Sequence, residues 1–235
     1  MELNSGAVAI SIFDSSTLSI MYDRTCPHKP EISIITPTFN VVEYIYGYLS
    51  RIEAINRVIP VEIIVVDKGS TDGTIEHLRR VMRDLEVCGK VLIMDLNVSS
   101  ARNIGLNLST GKYVYFLDAD DIPVINAFEK VKDIIINYRG SQVIAGNYVV
   151  YDVEANKVSF NHMFKTLSVL DCSELLLLWL SSVCDDGIDL RLQNMIFERE
   201  FLIRNNIKFH PDAISHEDFE FIINALSKCK QAVVV

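Results

Sequence analysis

The sequence predicts an α/β fold built on a mostly parallel central sheet. Three observations carry this. Residues 32–36, 61–67, 91–94 and 113–117 form four short runs rich in β-branched and aromatic residues. They lack polar alternation, as strands buried on both faces do. Stretches with helical spacing separate them, and such alternation implies parallel pairing through right-handed crossovers. Finally, Asp67 ends the second run, while Asp118, Asp120 and Asp121 follow the fourth. A parallel sheet gathers these carboxylates at its C-terminal edge, where ligands bind in open α/β sheets.

Taken in order, residues 1–30 form an N-terminal extension without a clear motif, readable as a hairpin, a packed arm or a disordered leader. Pro27 and Pro30 make its end a linker. Strand 32–36 stops at Pro37, which lacks a backbone donor, and residues 36–40 form a loop. A helix follows over 41–55, and Pro60 resets the chain. Strand 61–67 runs into the turn formers of 68–74, then a helix over 74–85 with Ser70, Thr71 or Asp72 as its N-cap. After strand 91–94, Ser99 or Ser100 caps the helix carrying Arg102, Asn103 and Gly105, and Gly111 ends it.

Strand 113–117 meets the acids, which have two readings. They hold a divalent cation that in turn holds a phosphate, or they form an acidic turn in which Asp120 or Asp121 caps the helix beginning near Pro123. The second half reads as a helix over 124–138, strands over 143–151 and 157–164 joined by a turn at 154–156, and an apolar helix over 173–180 with Trp179 in the core. Asp185, Asp186 and Gly187 make a polar loop. Residues 195–197 return to the sheet, 198–205 form a short helix, and His216 and Glu217 open a final helix, where its dipole favours acids.

The net charge of −9 argues against nucleic-acid binding, which needs a basic surface. Nucleotides stay open, because a metal supplies positive charge locally. Cys26, Cys88, Cys172, Cys184 and Cys229 are scattered, odd in number and without a C-x-x-C pair. This predicts neither a disulfide framework nor a zinc site, and favours a reducing compartment. The N-terminus is a poor signal peptide, and the apolar block at 175–180 is too short to span a bilayer. The expectation is a soluble cytoplasmic protein, with peripheral docking at the membrane surface left open.

Several motifs, in order, resemble glycosyltransferase family 2, the inverting nucleotide-sugar transferases of the GT-A fold. They are Thr36-Pro37-Thr38-Phe39-Asn40; Val66-Asp67 followed by Gly69-Ser70-Thr71-Asp72-Gly73-Thr74; Ala101-Arg102-Asn103-Ile104-Gly105; Gly111-Lys112-Tyr113 leading to the Asp-x-Asp of Asp118-Ala119-Asp120 and to Asp121; and His216-Glu217-Asp218. The resemblance implies a Rossmann-like three-layer sandwich, with a nucleotide-sugar-binding half over 31–122 and an acceptor-side half of the same domain over 123–235.

It also implies roles. Thr36, Pro37, Thr38 and Phe39 would line the nucleotide pocket, with Asp67 accepting hydrogen bonds from the base. Asp118 and Ala119 would sit near the ribose and diphosphate. Asp120 would be the direct ligand of Mg²⁺ or Mn²⁺, and Asp121 would contact the sugar or support the loop. Asp218 would be the catalytic base, with His216 in reach of the metal or diphosphate. For Arg102, charge balance, a place beside the donor and a structural ion pair all stay open. The implied partners are a nucleotide-sugar donor, UDP-linked by family frequency, and a glycan or lipid-linked acceptor, as in polysaccharide biosynthesis.

Two departures stand out. Lys68 replaces a second acid, and Asn97 lacks the glycine that often follows it. The family usually also continues past Val235 with a segment that closes over the donor, so a short or trimmed chain is expected. A non-catalytic nucleotide-sugar binder and an unrelated doubly wound metal- or phosphate-binding domain are the alternatives.

Overall fold

The computed structural model describes residues 19–85, 87–152, 156–161, 164–182, 190–213 and 215–235. Its first half alternates β2 (Ile32–Thr38), α1 (Val42–Asn56), β3 (Val61–Asp67), α2 (Thr74–Asp84), β4 (Gly89–Ile93), α3 (Val98–Leu108) and β5 (Tyr113–Phe116). Strands β4, β3, β2 and β5 are parallel neighbours in that order. Strand β1 (Ser19–Arg24) pairs antiparallel with β4, so the described part of the N-terminal extension is a packed arm on the sheet edge.

The second half contains α4 (Ile125–Asn137), β6 (Val143–Ala145), β7 (Tyr148–Asp152), β8 (Lys157–Asn161), β9 (Ser168–Asp171), α5 (Cys172–Ser182), β10 (Met195–Glu198), α6 (Arg199–Arg204), α7 (Glu217–Leu226) and β11 (Gln231–Val234). Among the described residues these complete a nine-stranded sheet in the order β1-β4-β3-β2-β5-β10-β6-β11-β9. Strands β10 and β9 run against β6 and β11, which share the direction of β5. The sheet is therefore mostly parallel.

Burial on both faces follows from the apolar runs. Ile34, Ile63 and Val65 point to one side, against Ile45, Leu49 and Ile52 of α1, Leu78 of α2 and Phe128 of α4. Ile35, Val114 and Phe116 point to the other, against Leu106 of α3 and the apolar faces of α5, α6 and α7, since successive strand residues alternate sides. Helices thus cover both faces in three layers. Trp179, 3% exposed, lies in that second core as expected. No helix among the described residues is long and apolar enough to cross a membrane.

Local details differ from the sequence reading. The N-cap of α3 is Asn97, whose Oδ1 accepts from Ser100 N at 2.9 Å; Ser99 and Ser100 are already helical. The N-cap of α2 is Gly73, at φ 98°, while Asp72 Oδ1 accepts from Thr74 N at 3.0 Å. Gly111 does not end α3, which stops at Leu108 with Ser109 as C-cap. A Cβ at Gly111 would lie 2.7 Å from Ser33 N, so its glycine permits close approach to β2. The segment read as one strand over 143–151 divides. β6 stays in the main sheet and β7 leaves to pair with β8. Neither Asp120 nor Asp121 caps α4, whose N-cap is Val124 without a side-chain bond.

The cysteines also correct the reading. Cys26 is bonded to Cys88 and Cys172 to Cys229, across separations of 62 and 57 residues. Such pairs leave no local spacing signal. The first arises because β1 lies beside β4, the second because α5 begins next to the turn before β11. Cys184, residues 1–18, Glu154 and Ala155, and the loop of Asp185, Asp186 and Gly187 lie outside the described residues.

Candidate active site

The parallel strands deliver their acids to one edge. Asp67, at the end of β3, is fully buried. Its Oδ1 accepts from Gly69 N (2.9 Å) and Ser70 N (2.7 Å). Its Oδ2 accepts from Thr38 Oγ1 (2.8 Å) and Ser70 Oγ (2.7 Å). A carboxylate so surrounded ties the β2 loop to the β3 loop. Asn40, held at φ 54°, adds a second tie, accepting from Thr71 N through Oδ1 and donating its own N–H to Ser70 Oγ. Thr36 is turned into the core, hydrogen-bonded to Tyr48, and Ala119 is buried. Phe39 stands at the rim, 53% exposed, with Lys68 Nζ 5.5 Å from its ring centroid.

Beside this mouth lies the acidic loop after β5. Asp120 is exposed. Burial pushes the Asp121 carboxyl up to about 6, and the charges of Asp118 and Asp120 add to that rise while Arg191 opposes it. Asp118 accepts from Arg102 Nη2 at 3.2 and 3.4 Å and from Gln193 Nε2 at 3.0 Å.

Arg102 organises the rest. Its side chain is 3% exposed, yet it reaches Asp118 through Nη2 and Asp218 through Nη1, the latter at 2.5 Å. Glu217 Oε1 lies 3.5 Å from Nη1. Its guanidinium packs over Phe209, 5.3 Å from the ring centroid, and Nε is buried without a hydrogen-bond partner among the described residues. A buried guanidinium needs such acids, because an unpaired charge away from water is costly. Of the three roles open in the sequence, the ion pair is observed, and it joins the acidic loop to Asp218.

Asp218 comes from the far end of the chain, and packing places it. Phe209 stacks on Phe221 of α7 at 4.1 Å, and both meet Phe116 of β5 edge-on. Asn103 of α3 brackets the loop before α7, its Nδ2 donating to Phe209 O and its Oδ1 accepting from Phe209 N. Asn97 Nδ2 donates to Pro211 O at 2.6 Å. These contacts bring the first turn of α7, with Glu217, Asp218 and Glu220, to the acidic loop. His216, exposed and at φ 62°, precedes that turn and hydrogen-bonds Ser215. Burial raises the Asp218 carboxyl to about 6. The Arg102 charge opposes this, and the charges of Glu217 and Asp118 add to it.

The family model for glycosyl transferase family 2 matches residues 33–196. The chain belongs to glycosyltransferase family 2. An uncharacterized glycosyltransferase of Haemophilus influenzae is 30% identical over 210 residues, spanning 88% of this chain and 76% of that protein. The Staphylococcus aureus poly(ribitol-phosphate) beta-N-acetylglucosaminyltransferase TarP is 26% identical over 208 residues, 85% of this chain and 58% of TarP. The fold is similar to that of S. aureus TarS 1-349 in complex with UDP, with a TM-score of 0.71 at 23% identity, covering 87% of this chain and 57% of that one. The chain thus spans little more than half the length of TarP or that TarS structure.

The architecture is the GT-A arrangement, and membership removes the unrelated metal- or phosphate-binding domain from consideration. Within this family 2 glycosyltransferase, sequence reasoning missed Gln193, and it named Asn97 and Asn103 without assigning them the contacts that clamp the loop before α7. Gln193 lies in an unremarkable stretch before β10, and no spacing links it to Asp118, 75 residues earlier. It also missed Glu62, buried on β3, which accepts from Ser33 Oγ, Thr110 N and Gly111 N and so fixes the turn entering β5.

Proposed function

We propose that this family 2 enzyme is an inverting, metal-assisted glycosyltransferase. It would transfer a sugar from a UDP-linked donor to a hydroxyl of a glycan or lipid-linked acceptor. The observation that carries the reading is Arg102, whose one guanidinium spans Asp118 and Asp218 and brings the candidate donor carboxylate and the candidate base to one mouth.

Asp218 would take the proton of the acceptor hydroxyl while that oxygen attacks the anomeric carbon. The bond from that carbon to the diphosphate breaks as the new C–O bond forms, so a single displacement inverts the centre. A carboxyl held near 6 is a stronger base than an ordinary one and still ionised at neutral pH, which suits general base work. Thr38, Phe39 and the loop held by Asp67 would receive the nucleotide, and Asp118 the ribose. The name of TarP, a poly(ribitol-phosphate) beta-N-acetylglucosaminyltransferase, and the UDP bound by TarS support a UDP-sugar and a polymeric acceptor.

The side chains fit a divalent cation. Asp120 offers exposed carboxylate oxygens, two residues from Asp118, which Arg102 and Gln193 engage. This suits Mg²⁺ or Mn²⁺, which are held by one or two carboxylates together with substrate phosphates. Asp120 would hold it, and the bound ion would supply positive charge opposite the departing diphosphate.

The test is a thermal-shift panel of UDP, GDP, CDP and dTDP with and without Mn²⁺, followed by UDP release from UDP-sugars. A ligand at about a hundred times its Kd adds about 2.7 kcal/mol of stability. A Mn²⁺-dependent shift with UDP and turnover with one UDP-sugar are expected. Binding without UDP release would make the chain a non-catalytic binder, and no shift with any nucleotide would remove the donor site.

A further inference from the structure

We propose that Gln193 is a donor-positioning residue, through which the second half of the chain sets the carboxylate of Asp118. The inference rests on the donor-site reading above and deepens it.

Asp118 is gripped from two sides. From α3 comes Arg102, at 3.2 Å. From the turn before β10 comes Gln193 Nε2, 3.0 Å from Oδ2. Arg102 Nη2 is shared between Oδ1 and Oδ2, at 3.2 and 3.4 Å, and the Gln193 amide adds the shorter bond to Oδ2 from a second element, which holds the carboxylate in its orientation. The short 3₁₀ turn Leu192–Asn194 that carries Gln193 is held at several points. Tyr115 donates its hydroxyl to the Gln193 carbonyl at 2.7 Å. Leu192 is 1% exposed. Asn194 Oδ1 accepts from Arg191 N at 3.0 Å, its Nδ2 donates to Gly146 O at 2.9 Å, and its carbonyl accepts from Gly146 N. Leu192 and Asn194 are thus committed to the scaffold, and the side chain of Gln193 reaches Asp118, while the charge of Arg191 acts on Asp121. Tyr115 belongs to β5, the strand that also delivers Asp118, so donor and acceptor of this hydrogen bond are indexed to the same strand. An amide suits the place: it donates without adding a second positive charge beside the candidate cation, and without the negative charge that would repel a diphosphate.

The experiment measures UDP affinity by calorimetry with Mn²⁺ present, and separates KM for the donor from kcat, in wild type, Gln193→Ala and Gln193→Glu. Melting temperatures verify that each variant is folded. The expected result is about tenfold weaker UDP binding and a matching rise in donor KM for Gln193→Ala, with kcat changed less than threefold, since a hydrogen bond to a charged group carries roughly that factor. Gln193→Glu keeps the shape but places two carboxylates at hydrogen-bond distance, so it should bind more weakly still. Loss through packing alone would reverse that order, because the isosteric variant would be the milder one. Gln193→Ala binding UDP like wild type, or Gln193→Glu binding better than Gln193→Ala, overturns the inference while wild-type binding preserves the donor site. Wild-type protein that binds no nucleoside diphosphate overturns the donor-site reading and this inference with it.

Discussion

Arg102 Nη1 lies 2.5 Å from Asp218 Oδ1, a contact between residues 116 positions apart. The same guanidinium holds Asp118, so one buried cation joins the loop after β5 to the first turn of α7. Removing it would leave two carboxylates facing each other. Arg102→Met should cost about 3 kcal/mol, as for a buried pair that loses one partner, and lower kcat/KM at least a hundredfold. Arg102→Lys should recover part of the stability but little of the activity, because an ammonium cannot fork to two carboxylates. Urea unfolding and donor turnover check both.

Asp218→Asn should lower kcat by roughly a hundred- to ten-thousand-fold, the range of a lost general base. Its amide oxygen can still accept from Arg102, so UDP affinity should stay within about twofold and the fold should persist. Retained kcat in this variant would remove Asp218 from the proposed chemistry.

The same residue sets a pH dependence. Its carboxyl is raised from 3.8 to about 6, so kcat should fall as pH drops through about 6. Stability moves the other way. A carboxyl that binds its proton more tightly when folded contributes stability that is complete below its unfolded pKa and lost as pH rises through its folded one. Between pH 4 and 7 the wild type should therefore lose melting temperature relative to Asp218→Asn. The groups facing it are Arg102, Glu217 and Asp118, and parallel melts of the two proteins over this window measure the difference.

Gly105 has no turn to make, since it lies within α3, yet a Cβ there would sit 2.3 Å from Ile35 Cγ2. Gly105→Ala should destabilise by about 1–3 kcal/mol through overpacking, outweighing the ~1 kcal/mol gain in helix propensity. Because α3 carries Arg102, turnover should fall as well. Unfolding curves and kcat on one preparation test whether the two losses travel together.

The paired cysteines close loops of about 60 residues. Each should stabilise by about 4 kcal/mol on a chain-entropy basis, so reductant should lower the melting temperature markedly. Thiol titration of the unfolded, unreduced protein should find one free cysteine of five. Five free thiols would return the chain to the reducing reading of its composition.

Much of the fold was legible because its signals are local. Unalternating apolar runs at 32–36, 61–67 and 113–117 mark strands buried on both faces, and Asp67 with Asp118–Asp121 mark their C-terminal edge. The caps were less legible. Asn97, not Ser99 or Ser100, caps α3, since several neighbouring residues can serve chemically and only the backbone angles choose among them.

By itself, then, the sequence determined the alternating α/β order, the edge where the acids gather and the family resemblance. Each follows from residue type at short spacing. Tertiary structure alone decided that Arg102 spans Asp118 and Asp218, that Gln193 reaches Asp118, that Asp67 spends its oxygens on loops, and that the cysteines pair as they do. The physical reason is shared. These contacts join residues far apart in the chain, and their partners are chosen by which strands lie side by side and by the phenylalanine cluster that docks α7.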